Sequence, residues 1–347
     1  MCENLSAGVV IATYKRHRAL QVALEHWEGS TRRPEQLIIV DASPDAAEQR
    51  SVFRSRFESL LGGSGSDYVV TPVPSSTAQR NAAIDRLWTD VAAFVDDDSL
   101  VHPDYLERIM EVFESDPDRA IGAVQGVSDH WRAIPRILGH DLLRPFKRFS
   151  ARIYVTRRQA YPMGVSIPRR VFLRCAPLWR RYHLWGACMS FRTELVRQLR
   201  LDENMRAYAF AEDFDLSFRA GRTHGLVARL DARIHHATDP GGRIPDLRRF
   251  LIGWINPAYL IEKLVPFDLN RRALHRTLSW ERLQLSMRGH PTDGRYGVAQ
   301  RMVDVLAGIE AASLVPAYLE LQSYVLDSGD PLYDEDAFLG WRQTRAW

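Results

Sequence analysis

Three groups of side chains in this chain have the types and spacing for chemistry. Asp96, Asp97 and Asp98 stand in succession, Glu212 and Asp213 form a second acidic pair, and His235 and His236 precede a glycine-rich turn. Three neighbouring carboxylates repel one another unless a cation or hydrogen-bond donors compensate. A hard divalent ion such as Mg2+ or Mn2+ takes oxygen ligands, commonly one or two carboxylates together with substrate phosphates. The alternative is an acidic turn that caps the helix opened by Pro103. Carboxylates at a helix start, as at Glu212 and Asp213, are stabilised by the helix dipole, so capping is an alternative there too. To take up a proton, such a group needs burial or neighbouring acids to raise its basicity. In an extended segment adjacent side chains point to opposite sides, so only one of the two histidines can face a given ion.

These groups need a scaffold, and the first third of the chain provides one. Short apolar runs at Val9 to Ala12, Gln36 to Val40, Tyr68 to Val70, Val91 to Val95 and Ile121 to Gln125 alternate with helical patterns. That alternation predicts an α/β fold, a mostly parallel central sheet covered by helices. Ligands of open sheets bind outside the carboxyl ends of the strands, where Thr13, Asp41 and Asp96 to Asp98 all fall. From Asp129 to Tyr182 the pattern weakens and arginines accumulate, which reads as an insertion bordering the site. Order returns with Trp185 to Phe191, helices over Thr193 to Leu199 and Glu212 to Ala220, and a strand over Leu226 to Leu230 that leads to the histidines. The last hundred residues read as largely helical.

Composition narrows the class. Of 347 residues 46% are hydrophobic, enough apolar surface to offset the entropy of ordering the chain. No run reaches the roughly 18 apolar residues of a membrane-spanning helix, and the N-terminus lacks a secretion signal, so a cytoplasmic location is expected. Cys2, Cys175 and Cys188 are too few and too scattered for a disulfide framework or a thiolate zinc site. The net charge is only +3, but between His130 and Tyr182 Asp141 is the sole acid among many arginines. A one-signed field of that kind attracts a diphosphate, a lipid headgroup or nucleic acid. No nucleic-acid reading motif supports the last, so nucleic acid is not expected as a partner. The stripe Phe250 to Phe267, with Trp254, Tyr259 and Leu260 among basic residues, suits either packing on the catalytic domain or the inner face of a membrane.

The strings VVIATYKR, LIIVDAS, QRNAAI, FVDDDSLVHPDYL, GACMSFRTELV, AEDFDLSFRA and RIHHATDPGGR occur in an order and spacing that resemble family 2 glycosyltransferases of the GT-A fold, over about residues 7 to 264. The resemblance implies a Rossmann-like catalytic domain at 1–245 and a helical C-terminal region at 246–347. The catalytic domain divides into a nucleotide-binding half (1–126), the Arg-rich insertion (127–184) and an acceptor half (185–245). It implies inverting, metal-dependent transfer of a sugar from a UDP- or dTDP-sugar to a hydroxyl of a saccharide, lipid-linked or small-molecule acceptor, with Mn2+ or Mg2+ as cofactor. Thr13, Tyr14 and Arg16 would border the nucleotide, Tyr14 stacking on the base and Asp41 accepting its ring N–H. Arg80 and Asn81 would meet the base or diphosphate, or Arg80 would pair with Asp41 or Asp96. Asp96 would face the ribose or sugar, Asp98 would bind the ion, and Asp97, extra to the family pattern, would contact the sugar or be solvated. Asp213 would be the general base. One histidine would join the metal, with His235 preferred and His236 the alternative. Trp185, Gly186, Met189, Ser190, Glu212 and Arg243 would line the sugar and acceptor pocket. A catalytically inactive nucleotide-sugar binder of the same fold is the competing reading. A dimer is compatible with either.

Overall fold

The computed structural model describes residues 4–63, 65–129, 167–181, 183–207, 209–242, 246–264 and 314–327. These fall into two compact units. One holds 4–129, 167–207 and 212–242, and the other holds 209–211, 246–264 and 314–327.

Among the described residues the larger unit is built on a sheet of nine strands. Strands β1 (Ala7–Thr13), β2 (Gln36–Asp41), β3 (Asp67–Val70) and β4 (Val91–Val95) lie in the order β3-β2-β1-β4, all parallel. Strand β8 (Cys188–Arg192) then runs antiparallel between β4 and β6 (Ile121–Ser128). Strand β9 (Gly225–His236) lies parallel to β6, and β5 (Ser99–Val101) and β7 (Leu178–Arg181) pair antiparallel with β9. The apolar runs form strands because they are buried on both faces: every residue from Gln36 to Asp41 and from Val91 to Val95 is buried.

The period of two sends alternate residues to opposite cores. Val9, Ile11, Leu37 and Ile39 join helix α1 (His17–Glu28) and helix α5 (Tyr105–Glu114) on one face, where Leu20, Leu24, Trp27 and Ile109 are sealed from water. Val10, Ile38 and Val40 face α4 (Ser76–Ile84), α7 (Thr193–Leu199) and α8 (Glu212–Ala220) on the other. Helices α2 (Ala46–Arg56) and α3 (Glu58–Leu61) divide at Phe57, which leaves helical dihedrals.

Two elements differ from the sequence expectation, and both shape the site. Strand β9 does not stop at Leu230 but continues through both histidines. Its second half is charged, yet Arg229 pairs with Asp231 and with Glu111 of α5, and Arg233 with Asp129 just past β6, so the charges are met. Strand β5, three residues directly after the aspartates, pairs Ser99 with His236 and Leu100 with His235. The described part of the Arg-rich stretch is ordered secondary structure: helix α6 (Arg169–Arg174) and the sheet strand β7. Cys175 and Cys188 are free and buried.

In the smaller unit α9 (Asp246–Leu264) packs along α10 (Leu314–Asp327), and a buried hydrogen bond joins Gln322 to Asn256 at 2.8 Å. Tyr259 and Leu260 are buried, which removes both from any membrane-facing stripe. No described helix is long and apolar enough to cross a membrane.

Candidate active site

The turn after β4 gives its three carboxylates three environments. Asp96 Oδ1 accepts a hydrogen bond from Arg80 at 2.8 Å. Burial and the nearby Asp98 raise the Asp96 pKa against the pull of Arg80. Asp97 is turned inward: Oδ2 accepts from the Thr13 hydroxyl at 2.7 Å and Oδ1 from Arg16 at 3.0 Å. Burial nonetheless pushes its pKa up to about 7, outweighing Arg16 and Thr13. The residue extra to the family pattern thus ties β4 to the end of β1.

Asp98 is 2% exposed; its Oδ2 accepts the Asp239 N–H at 2.9 Å, while Oδ1 has no hydrogen-bond partner among the described residues. Facing that bare oxygen, 3.3 Å away, is His236 Nδ1. The ring of His236 is propped edge-on against Trp185, centroids 5.1 Å apart, and its Nδ1 also lies 3.2 Å from Ser99 Oγ. The β5–β9 pairing creates this meeting, because it fixes Ser99 opposite His236. His235, the histidine preferred from sequence, lies on the other side of the strand, about half exposed, with Nδ1 4.0 Å from Asp129. The geometry therefore brings His236, not His235, to Asp98.

Among the described residues no three His, Cys, Asp or Glu side chains converge as a metal cage. Asp98 and His236 offer one carboxylate oxygen and one imidazole nitrogen, a donor set that fits a divalent ion completed by substrate phosphates. A buried carboxylate oxygen without a donor is costly in a folded chain, and an ion is what would satisfy it.

Across the end of the sheet, Arg80 gathers a second group. From α4 it donates to Glu212 at 2.9 Å, to Asp96 at 2.8 Å and to the Gly186 carbonyl at 3.1 Å. Burial works against its charge, but Asp96, Glu212 and Asp213 outweigh the desolvation. Arg80 thus links the aspartate turn to the start of α8. There Asp213 Oδ2 accepts the Gly186 N–H at 2.9 Å and Oδ1 accepts the Phe214 N–H at 2.7 Å, and His183 Nε2 lies 3.3 Å from Oδ2. Gly186 is a close fit, since a Cβ would come within 3.4 Å of both the Asp213 and the Glu212 carboxylates.

The two acids separate electrostatically. Burial and the charge of Asp213 push the Glu212 pKa up despite Arg80. Burial also works to raise Asp213, but His183 and the N–H groups of Gly186 and Phe214 outweigh it and hold the pKa below the ordinary carboxylate value. Sequence reasoning expected a proton acceptor here to have a raised pKa, and in the structure that shift belongs to Glu212. The two neighbouring carboxyls are thus pushed in opposite directions, Glu212 up and Asp213 down.

At the end of β2, Asp41 is fully buried, and its four acceptor positions are occupied. Ser43 donates from N–H and hydroxyl at 2.8 and 2.5 Å, the Tyr68 hydroxyl at 2.6 Å and His17 Nε2 at 2.7 Å. A nucleobase could bond Asp41 only by displacing one of these. Tyr14 is half-buried, with the Lys15 ammonium 5.1 Å from its ring centroid. The loop after β9 packs here: Gly241 O accepts from Arg16 Nε, and Gly242 lies directly over the Tyr14 carbonyl.

Three residues expected in the site do other work. Asn81 turns away from it, donating to Leu201 O at 2.9 Å and Glu203 at 2.8 Å and accepting the Leu201 N–H at 2.9 Å. Met189 and Ser190 are fully buried in β8, Met189 packed in the core beside Phe94, so neither lines a pocket. Arg243 lies outside the described residues. Sequence reasoning missed Gln79, whose amide donates to Thr13 O and Val40 O, both at 2.8 Å, clamping the ends of β1 and β2. It also missed Tyr68 and His183. Tyr68 carried a signal: it pairs with Ile39, two residues before Asp41, and so lies on the same face.

The chain is similar to S. aureus TarS at 13% identity and a TM-score of 0.49, covering 96% of this chain and 54% of that one, so it spans about half the length of TarS. It is similar to the mannosyltransferase PcManGT from Pyrobaculum calidifontis, solved with GDP-Man and Mn2+, at 12% identity and a TM-score of 0.48 over 99% of this chain and 81% of that one. A third likeness, at 14% identity and a TM-score of 0.47 over 76% of this chain and 79% of the other, is to glucosyl-3-phosphoglycerate synthase from Mycobacterium tuberculosis, solved with Mn2+, UDP and phosphoglyceric acid. No curated protein sequence matches the chain. The family model described as Glycosyl transferase family 2 matches residues 8–199, more than half of the 347. The chain belongs to glycosyl transferase family 2.

Proposed function

We propose that the protein transfers a sugar, with inversion at the anomeric carbon, from a UDP- or dTDP-sugar to a hydroxyl of a saccharide, lipid-linked or small-molecule acceptor. The observation that carries this reading is the meeting at one sheet end of two complementary half-sites. Asp98 Oδ1 faces His236, and Arg80 ties the same turn to Glu212, whose neighbour Asp213 is held below the ordinary carboxylate pKa.

Asp213 takes the acceptor proton as its oxygen attacks the anomeric carbon. The Gly186 and Phe214 N–H groups fix the carboxylate in one orientation, which favours a single line of approach. A raised pKa is not required: a carboxylate that stays ionised is ready throughout the neutral range, and the attacking hydroxyl becomes acidic only as its bond to carbon forms. Glu212, with its pKa raised by burial, and the Arg80 that donates to it border the same space. Asp98 and His236 would hold a divalent ion, which supplies positive charge where the nucleoside diphosphate departs. Asp97, Thr13 and Arg16 hold the turn in place beneath it, and the filled Asp41 cluster shapes the nucleotide side instead of reading the base.

The experiment is a thermal-shift panel of UDP-, dTDP- and GDP-sugars with and without Mn2+. Stabilisation that needs both ion and one donor, and that disappears in Asp98→Asn, is the expected result. Donor binding indifferent to Mn2+ would remove the metal from the proposal.

A further inference from the structure

We propose that helix α6 and the edge strand β7 form a docking surface for an anionic lipid bilayer. The transfer proposed above uses none of the arginines of these two elements, yet between Ile167 and Arg181 the chain carries five arginines and no acid.

The fold sorts this stretch into an inner and an outer side. Val171 and Cys175 of α6 are sealed in the core that also holds α1 and α5, and Leu178 of β7 packs against it. On the other side of α6, Arg169 and Leu173 stand one helical turn apart and exposed, with Arg170 and Arg174 exposed beside them. The turn that follows exposes Ala176 and Pro177, and β7 then leaves Trp179 in water. Leu173 is 72% exposed and Trp179 41%. From Arg169 to Trp179 every exposed residue is thus an arginine or apolar.

Edge protection accounts for part of this pattern, because charge and proline keep an outer strand from pairing with another chain. It does not account for a leucine standing in water among arginines. Nucleic acid would reward the charge and leave Leu173 unrewarded. A bilayer surface rewards both, since anionic headgroups meet the guanidinium groups while the apolar side chains enter the boundary beneath them. Arg170 is also paired with Asp118, so the charge is best tested at Arg169 and Arg174.

The surface shares a sheet edge with the meeting of Asp98 and His236. Strands β7 and β5 both border β9 on the side away from β6. The Leu230 N–H donates to the Pro177 carbonyl at 3.0 Å, and from Leu230 roughly 20 Å of strand leads to His236. A bilayer docked here lies along the edge that carries His236, which favours the lipid-linked class among the acceptors proposed above. That last step rests on the transfer reading, whereas the docking itself does not.

The test is co-sedimentation of the full chain, without donor or ion, with vesicles of phosphatidylcholine alone and of equimolar phosphatidylcholine and phosphatidylglycerol. Binding is expected only to the anionic vesicles, and it should weaken as salt rises. Each arginine near such a surface is worth about fivefold in partitioning, so Arg169→Glu combined with Arg174→Glu should lower binding by more than about 100-fold. Leu173→Ser should lower it by about threefold to tenfold, a loss that a purely ionic contact would not show. The melting temperature of each variant should match that of the unaltered chain, because the altered side chains lie on the outer side. If the reversed pair melts lower, Arg169→Gln with Arg174→Gln gives the same reading at about 25-fold. Failure of the unaltered chain to sediment with anionic vesicles, equal sedimentation with both vesicle types, or unchanged binding in the arginine variants overturns the docking surface. So does full competition by duplex DNA together with unchanged vesicle binding in Leu173→Ser, which would make the stretch a general polyanion site. These readings need neither donor nor ion, so a failed nucleotide-sugar panel overturns the transfer reading without touching the docking, and failed sedimentation overturns the docking alone.

Discussion

Two buried aspartates end neighbouring parts of the same sheet, and they are treated in opposite ways. Asp41 closes β2 at 0% exposure with four donors of its own chain on its two oxygens. Asp98 follows β4 at 2% exposure with a backbone N–H on Oδ2, a distant Arg16 contact at 3.5 Å, and an Oδ1 with no hydrogen bond among the described residues, faced only by His236 Nδ1 at 3.3 Å. Burying a carboxylate costs several kcal/mol unless its charge and lone pairs are met. At Asp41 the chain meets that cost itself, which makes the residue part of the fold. At Asp98 the cost is left standing, which makes sense if something from outside the chain offsets it. Position at a strand end does not by itself make a carboxylate functional; the unfilled lone pair does.

That contrast is most exposed to failure at Asp98. Asp98→Ala should lower donor turnover by about a thousandfold or more, roughly 4 kcal/mol at the transition state. It should also abolish Mn2+-dependent thermal stabilisation while leaving the ion-free melting temperature unchanged or higher, because a poorly met charge has been removed. The converse holds for Asp41→Ala, which strands Ser43, Tyr68 and His17 without their acceptor. It should cost about 3 kcal/mol in urea unfolding, in the range for breaking a buried charged network. Ion dependence should survive in whatever folds. If the two variants lose stability equally, the distinction between a filled and an unfilled carboxylate fails.

How far this was legible in the sequence depends on whether a feature is written in local pattern. Strands β1 to β4 were, because runs such as Leu37-Ile-Ile-Val40 are buried on both faces and hold no other periodicity. Helices α7 and α8 were, since Thr193 and Glu212 stand where helix starts favour them. Strand β5 was not: three residues are too few for a period, and it exists only because β9 is there to pair with it. The charged half of β9 reads as loop until its arginines are seen paired. The choice between the histidines turned on that register. Met189 and Asn81 sit within the motifs that pointed to the site, but a motif carries no side-chain direction, and these two point into the core and toward residues 201–203. His183 belongs to no motif and is met only through the fold.

The loop that donates to Asp98 sharpens the comparison at a smaller scale. Gly242 has φ +61°, and a Cβ there would fall 1.9 Å from the Tyr14 carbonyl oxygen. Gly242→Ala should therefore push the loop off Tyr14 at a cost of about 2 kcal/mol, combining clash with left-handed strain. Because Asp239 of the same loop holds Asp98 Oδ2, the measurable result is weaker Mn2+ binding, by about tenfold if most of that cost is felt at the ion. Gly253, inside α9 with nothing within 4 Å of its added Cβ, is the control: Gly253→Ala should stabilise by up to about 1 kcal/mol.

The pH dependence of the ion-free protein tests the unfilled region as a whole. Asp97 is pushed up to about 7 from an ordinary 3.8, and burial raises Asp96 and Glu212 in the same direction. A carboxyl whose pKa is higher folded than unfolded is protonated in the native state at pH values where the unfolded chain has already released the proton. Stability is therefore full at low pH and falls as pH rises from about 4 toward 7, by at most about 1.4 kcal/mol per pH unit for each such group. Asp213, held low, works with the opposite sign: its contribution is present above the ordinary carboxylate value and lost only as pH falls below it. Between pH 5 and 7 the raised groups should dominate, so urea unfolding of the ion-free chain should show stability declining across that window. Asp97→Asn should make the decline shallower. Mn2+ with a nucleoside diphosphate, by drawing the cluster into its ionised form, should flatten it. Stability that rises with pH between 5 and 7 without the ion would mean that the aspartate turn is already compensated by its own chain, as Asp41 is, and the two strand ends would no longer differ in kind.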